Sequence, residues 1–76
     1  MDQLFLDLRG VACPMNFVKT KLFMDKMPTG GVVAVLLDDG EPVESVSSSI
    51  GEEGHEIMES TLEEGGHYRL LIRKTA

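Results

Sequence analysis

Thiols, tryptophan and basic charge are what this chain has least of. Its 76 residues include one cysteine, no tryptophan, one tyrosine and three phenylalanines, and 7 Lys+Arg against 13 Asp+Glu give a net charge of −6. A single cysteine excludes an intramolecular disulfide and any zinc site built from several thiolates. The acidic balance lacks the basic footprint of a general nucleic-acid binder. No stretch approaches the roughly 20 apolar residues of a membrane helix. The first residues show no basic region leading into an apolar run, so no signal peptide is read. A free thiol without a partner fits a reducing compartment, and the cytoplasm is the expected location.

What is present describes a small folded domain. With 42% hydrophobic and 26% charged residues the composition is that of a globular chain, not a disordered one. A chain this short buries only about 60% of its unfolded surface, so one compact domain is expected over residues 1–76, without a large cofactor cleft.

Punctuation divides the chain into six short elements. Gln3 to Leu8 alternates, with Leu4, Leu6 and Leu8 on one side and Phe5 and Asp7 on the other, which predicts a half-buried strand. Met15 to Met27 reads as a helix with Phe17, Thr20, Phe23, Met24 and Met27 on one broad face. Pro28 to Gly31 stops it. Val32 to Leu37 is a continuous apolar, β-branched run, the mark of a strand in the middle of a sheet. Pro42 suits the first turn of a second helix whose apolar stripe is Val43, Val46 and Ile50, with Gly51 and Gly54 as stops. Glu56 to Leu62 is a weakly alternating strand. Glu63 to Gly66 makes a hairpin turn, and His67 to Arg73 alternates with Tyr68, Leu70 and Ile72 inside. The expected fold is α/β (α+β) in order βαβαββ, a two-layer sandwich of two helices on a four-stranded mixed sheet.

Cys13 is the chemically distinctive residue. It follows the end of a strand and stands directly before Pro14. Proline is favoured at the first helical position, where its missing N–H costs nothing. With Pro14 there, Cys13 is the N-cap, and its sulfur lies near free amide donors and the positive end of the helix dipole. Both favour the thiolate, which is the nucleophilic form. Arg9 is a candidate for electrostatic support, and Gly10 and Ala12 keep the surroundings small. The plain alternative is a cysteine acting as a small buried hydrophobe.

The order and spacing of several segments carry a resemblance. Leu6-Asp7-Leu8-Arg9-Gly10-Val11-Ala12-Cys13-Pro14, then Lys19-Thr20-Lys21, Gly30, Asp38-Asp39, Gly54-His55-Glu56 and Leu71-Ile72-Arg73-Lys74 together resemble the TusA/SirA-like family of small sulfur carriers. The resemblance implies a two-layer α/β sandwich and a cysteine that carries sulfane sulfur as a persulfide. It implies a protein donor of the cysteine desulfurase or rhodanese type, and a protein acceptor in a tRNA-thiolation, molybdenum-cofactor or sulfur-oxidation type of pathway. Cys13 takes the persulfide role and Pro14 the helix-start role, with no metal or organic cofactor. One position departs: Asn16 stands where the family's Cys-Pro-x-Pro motif has its second proline. Asn16 keeps a backbone donor and places a polar side chain near the sulfur. With no second cysteine, a persulfide on Cys13 has to be discharged to another molecule.

Other residues are weighed against blander readings. Met15, Val18 and Leu22 form a second apolar stripe on the first helix, either wrapped by neighbouring elements or, with Lys19, a docking surface beside Cys13. Lys19, Lys21 and Lys26 are candidates for steering an acidic partner, or simply solvent-facing. Asp38 and Asp39 resemble a catalytic pair, but more plainly end a strand and help start the next helix. His55, His67 and Cys13 show no metal-ligand spacing, so no metal site is expected. The glutamates of the second half read as a solvated surface that does not bind RNA directly. Two rivals to sulfur transfer stand: a regulatory or interaction module, and a thiol redox sensor.

Overall fold

Each helix buries one side against alternate residues of the strands, and this pairing sets the layer order. The computed structural model describes residues 4–12 and 14–75, so Gln3 and Cys13 of the sequence reading lie outside the described residues. The elements are β1 (Leu4–Asp7), α1 (Met15–Asp25), β2 (Val32–Asp38), α2 (Glu41–Glu52), β3 (Glu56–Leu62) and β4 (His67–Arg73). They form one mixed sheet in the order β1-β2-β4-β3, with β1 parallel to β2 and the other two pairings antiparallel. The expected order and the two-helix, four-strand architecture are both observed.

The core lies between the helices and one face of the sheet. Val33, Val35 and Leu37 of β2 join Leu70 and Ile72 of β4, Met24 and Met27 of the α1 side, and Val43, Val46 and Ile50 of α2. Full burial of each such aliphatic side chain is worth about 1.5–3 kcal/mol. Ala34 and Leu36 point to the opposite face yet are only 4% and 8% exposed. They are flanked in register by Phe5 and Leu71, and by Asp7 and Arg69. That explains why β2 reads as an unbroken apolar run instead of an alternating one.

Several boundaries move. α1 ends at Asp25, two residues before Met27, because the last turn tightens: the Lys26 and Met27 N–H groups donate to Phe23 and Met24 carbonyls three residues back. α2 ends where expected, with Gly54 at φ +88° and the His55 N–H returning to the Ile50 carbonyl at 3.2 Å. β3 alternates weakly because it is an edge strand with a bulge between Ile57 and Glu59. Among the described residues no helix is long and apolar enough to cross a membrane.

Candidate functional site

The strand β1 leads into a short loop, Leu8 to Ala12, that is fastened at several points. Leu8 is 2% exposed and donates its N–H to the Leu36 carbonyl at 2.9 Å. The Val11 N–H turns back to the Leu8 carbonyl at 3.1 Å. Gly10 adopts φ +80°, a backbone state that residues with a Cβ rarely take, and its N–H donates to Asp38 Oδ2 at 2.8 Å. Asp38, at the end of β2, thus anchors the loop preceding Cys13. The sequence offers this aspartate as a strand end, a start for the next helix or half of a carboxylate pair, not as a loop anchor. No local signal marks a hydrogen bond 28 positions away.

The helix start differs from expectation by one residue. Pro14 is the N-cap of α1 and not its first helical residue, because its φ of −92° and ψ of 4° lie outside the helical basin. Its carbonyl accepts the Val18 N–H at 3.1 Å, as an N-cap carbonyl does. Cys13 therefore precedes the cap in sequence. Pro14 offers no side-chain cap, and among the described residues the first turn holds no acidic residue. By contrast α2 carries Glu41 and Glu44 in its first turn. The first turn of α1 thus brings no carboxylate of its own to the positive pole.

Arg9 is engaged elsewhere. Its Nε and Nη2 donate to Asp7 Oδ1 and Oδ2 at 3.0 and 2.8 Å, and its backbone N–H reaches Oδ1 at 3.1 Å. Its charge is therefore balanced by Asp7. These bonds hold the Asp7 carboxyl at about 2, below the ordinary 3.8, and raise Arg9. The Asp7 side-chain carbon resonance is expected to titrate near 2, and Arg9→Ala to return it toward 3.8. Because the folded value is the lower one, the pair stabilises fully above about 3.8 and is lost as pH falls toward 2.

Asn16 stands in the first turn of α1. It is buried (0% exposed), on the same side of α1 as Thr20 and Met24. Its Oδ1 accepts the Phe17 N–H at 2.7 Å, and its own carbonyl accepts the Thr20 hydroxyl at 2.8 Å. Among the described residues its Nδ2 has no hydrogen-bond partner. Phe17 and Phe23 are half-buried against the core, and Met27 is buried.

The second stripe of α1 is not wrapped by neighbours. Met15, Val18 and Leu22 are 50%, 37% and 57% exposed, and Lys19 is exposed beside them. Lys21 is committed to Glu53 at 2.8 Å, which ties α1 to the end of α2, raises the lysine and lowers the glutamate. Lys26 is exposed. Asp39 Oδ1 accepts the Gly40 N–H at 2.8 Å, a local turn role. The His55 ring accepts the Thr75 N–H at 3.3 Å. Among the described residues no group of three or more His, Cys, Asp or Glu side chains is placed to hold a metal ion.

With this geometry in hand, comparison with known proteins is decisive. The family model described as sulfurtransferase TusA matches residues 4–74. The chain belongs to this family. TusA-type relatives match along most of their lengths. A putative sulfur carrier protein of Archaeoglobus fulgidus is 35% identical over 91% of this chain and 78% of its own. The sulfur carrier protein TusA of Allochromatium vinosum is 34% identical over 92% and 91%. The putative sulfur carrier YrkI of Bacillus subtilis is 32% identical over 91% of each. The crystal structure of a SirA-like protein from Desulfitobacterium hafniense has the same fold, with a TM-score of 0.83 at 21% identity over 97% of this chain and 100% of that one. The resemblance carried by the Leu6–Pro14 segment and its companions is thereby borne out.

Proposed function

We propose that this TusA-family chain is a single-domain, cytoplasmic sulfur carrier in which Cys13 accepts a sulfane sulfur as a persulfide and relays it to an acceptor protein. The observation that carries the reading is the amino end of α1, whose first turn holds no acidic residue among those described and which follows Cys13-Pro14 in sequence. An anionic sulfur is stabilised at such an end. The named sulfur carriers among the relatives give this chemistry its direction.

The reaction is an exchange between thiolates. The Cys13 thiolate attacks the terminal sulfur of a donor persulfide. A new S–S bond forms, the donor's S–S bond breaks, and the donor leaves as a thiolate. The acceptor's thiolate then attacks the outer sulfur on Cys13, and the Cys13 thiolate is released. No net oxidation occurs in either step, and no metal or organic cofactor is required. The chain has no second cysteine, so the outgoing sulfur leaves on another molecule's thiol.

The partners fitting this exchange are a persulfide-bearing donor of the cysteine desulfurase or rhodanese type and a thiol-bearing acceptor protein. The exposed Met15, Val18 and Leu22, with Lys19, supply an apolar docking face on the helix that Cys13 precedes. Arg9 contributes little direct charge to the sulfur, since Asp7 already neutralises it.

Intact mass after incubation with a sulfane donor tests the reading. A gain of one sulfur atom, removable by a reductant, is expected. A gain of oxygen alone, or only a mixed disulfide, would assign Cys13 to redox sensing instead.

A further inference from the structure

The two edges of the sheet are finished differently. β3 closes one edge with a bulge between Ile57 and Glu59 and with exposed Glu56 and Glu59, features that keep an edge from pairing with another chain. β1 closes the other with Leu4-Phe5-Leu6, in unshifted register and with no charge before Asp7. Leu4 and Phe5 are 37% and 57% exposed. Leu4 also lines a groove of about 320 Å³ beside the carboxyl end of α1, completed by Phe23, Lys26, Met27 and Pro28. The groove lies at the end of α1 away from the Pro14 cap. Of its lining residues only Lys26 is charged. The distribution of cations points to the same place. Arg9, Lys21, Arg69 and Arg73 pair with carboxylates, and Lys74 donates to the Met27 carbonyl. Among the described residues that leaves Lys19 and Lys26 as the cations without a partner, one helical turn to either side of Leu22 and Phe23. In a chain of net charge −6, the uncommitted cations both border one apolar surface.

We propose that the β1 edge and the groove beside it dock an extended, acidic segment of another protein. The segment lies along β1 as an added strand. Alternate side chains of such a strand fall on the helix side of the sheet. There an apolar one enters the groove between Leu4 and Phe23, and carboxylates on the same side meet Lys26 and Lys19. β1 has only 4 residues, so main-chain pairing is brief, and the groove and the lysines supply the rest. A second copy of this chain is the poorer occupant, because two chains of net charge −6 repel. The inference does not rest on the carrier reading, and no sulfur chemistry enters it.

The probe is a displayed library of random linear peptides selected on the full chain, from which the most enriched peptide is synthesised. Enrichment of Asp and Glu beside branched or aromatic apolar residues is expected. On the unaltered chain, binding of that peptide is expected to move the amide resonances of Leu4–Asp7 and the methyl resonances of Leu4 and Met27, and to slow hydrogen exchange along β1. Lys26→Glu, at an exposed position, is expected to weaken the peptide about tenfold at low ionic strength, and added salt to erase most of the difference. Selection that enriches no peptide, or only peptides without acidic residues, overturns the proposal. Resonances that move only on other surfaces overturn it, as does an affinity indifferent to Lys26→Glu. A concentration-dependent dimer in sedimentation that Lys26→Glu abolishes assigns the edge to a second copy and overturns it too. Sulfur uptake is read separately by intact mass, so failure here leaves the carrier reading standing, and failure of uptake leaves this proposal standing.

Discussion

A chain carrying Cys13→Ser is expected to take up no sulfur at all from a persulfide donor, in an assay where the unaltered chain gains one sulfur atom. The loss is total because no other thiol exists to substitute. A serine hydroxyl in the same place stays protonated at neutral pH and forms no sulfane bond. The nucleophile is the thiolate, and stabilising charge at the amino end of α1 is of no use to a group that does not ionise. The measurement is intact mass before and after donor exposure, with the folded state of the variant verified by its amide spectrum. Any sulfur retained on Cys13→Ser would place the carried atom elsewhere and sink the carrier reading.

The largest effect on stability is expected at Leu70. This side chain is 0% exposed, opposite Val35 of β2 and Ser60 of β3 in register, and belongs to the core under both helices. Leu70→Ala removes buried methyl groups and leaves a cavity between the sheet and the helices, a change that costs about 3 kcal/mol. Small domains hold only about 5–15 kcal/mol in total. At about 4–8 °C per kcal/mol for a domain of this size, the melting temperature is expected to fall by roughly 12–24 °C. Leu22→Ala is the comparison. Leu22 is 57% exposed on α1, and its truncation is expected to change stability by less than about 0.5 kcal/mol. Thermal and urea denaturation read both. Equal losses for the two variants would overturn the assignment of the core face.

What was legible in the sequence was periodicity. Val43, Val46 and Ile50 recur at helical spacing and are all buried. Leu70 and Ile72 alternate and are buried together. Gly54 and the Glu63–Gly66 turn mark boundaries that the backbone respects. Local pattern suffices for these because neighbouring residues supply both the signal and the cause. β1 was legible in part: Leu4 and Leu6 lie opposite Val33 and Val35, yet Leu4 is 37% exposed because it sits on an edge strand.

The remainder depends on contacts between distant parts of the chain, or on a conflict with pattern. The bond from Gly10 to Asp38 joins two turns that no spacing relates. Asn16 was read only as a departure from the motif's second proline, and its burial follows from the helix phase it shares with Thr20 and Met24. Pro14 reads from sequence as the first helical residue, whereas its φ of −92° and ψ of 4° make it the cap. Arg9 did leave a clue, an aspartate two positions earlier at a strand end, and that pairing accounts for its direction.

The tie between Gly10 and Asp38 bears on when the cysteine becomes competent. The loop ahead of Cys13 takes its shape from a carboxylate at the far end of the β1–α1–β2 crossover, so its geometry is assembled only after β2 has docked beside β1. A nascent or partly unravelled chain has the thiol but lacks the fastened Leu8–Ala12 loop ahead of it. If Cys13 is loaded as proposed, the loop that leads to it is complete only in a chain whose crossover has folded.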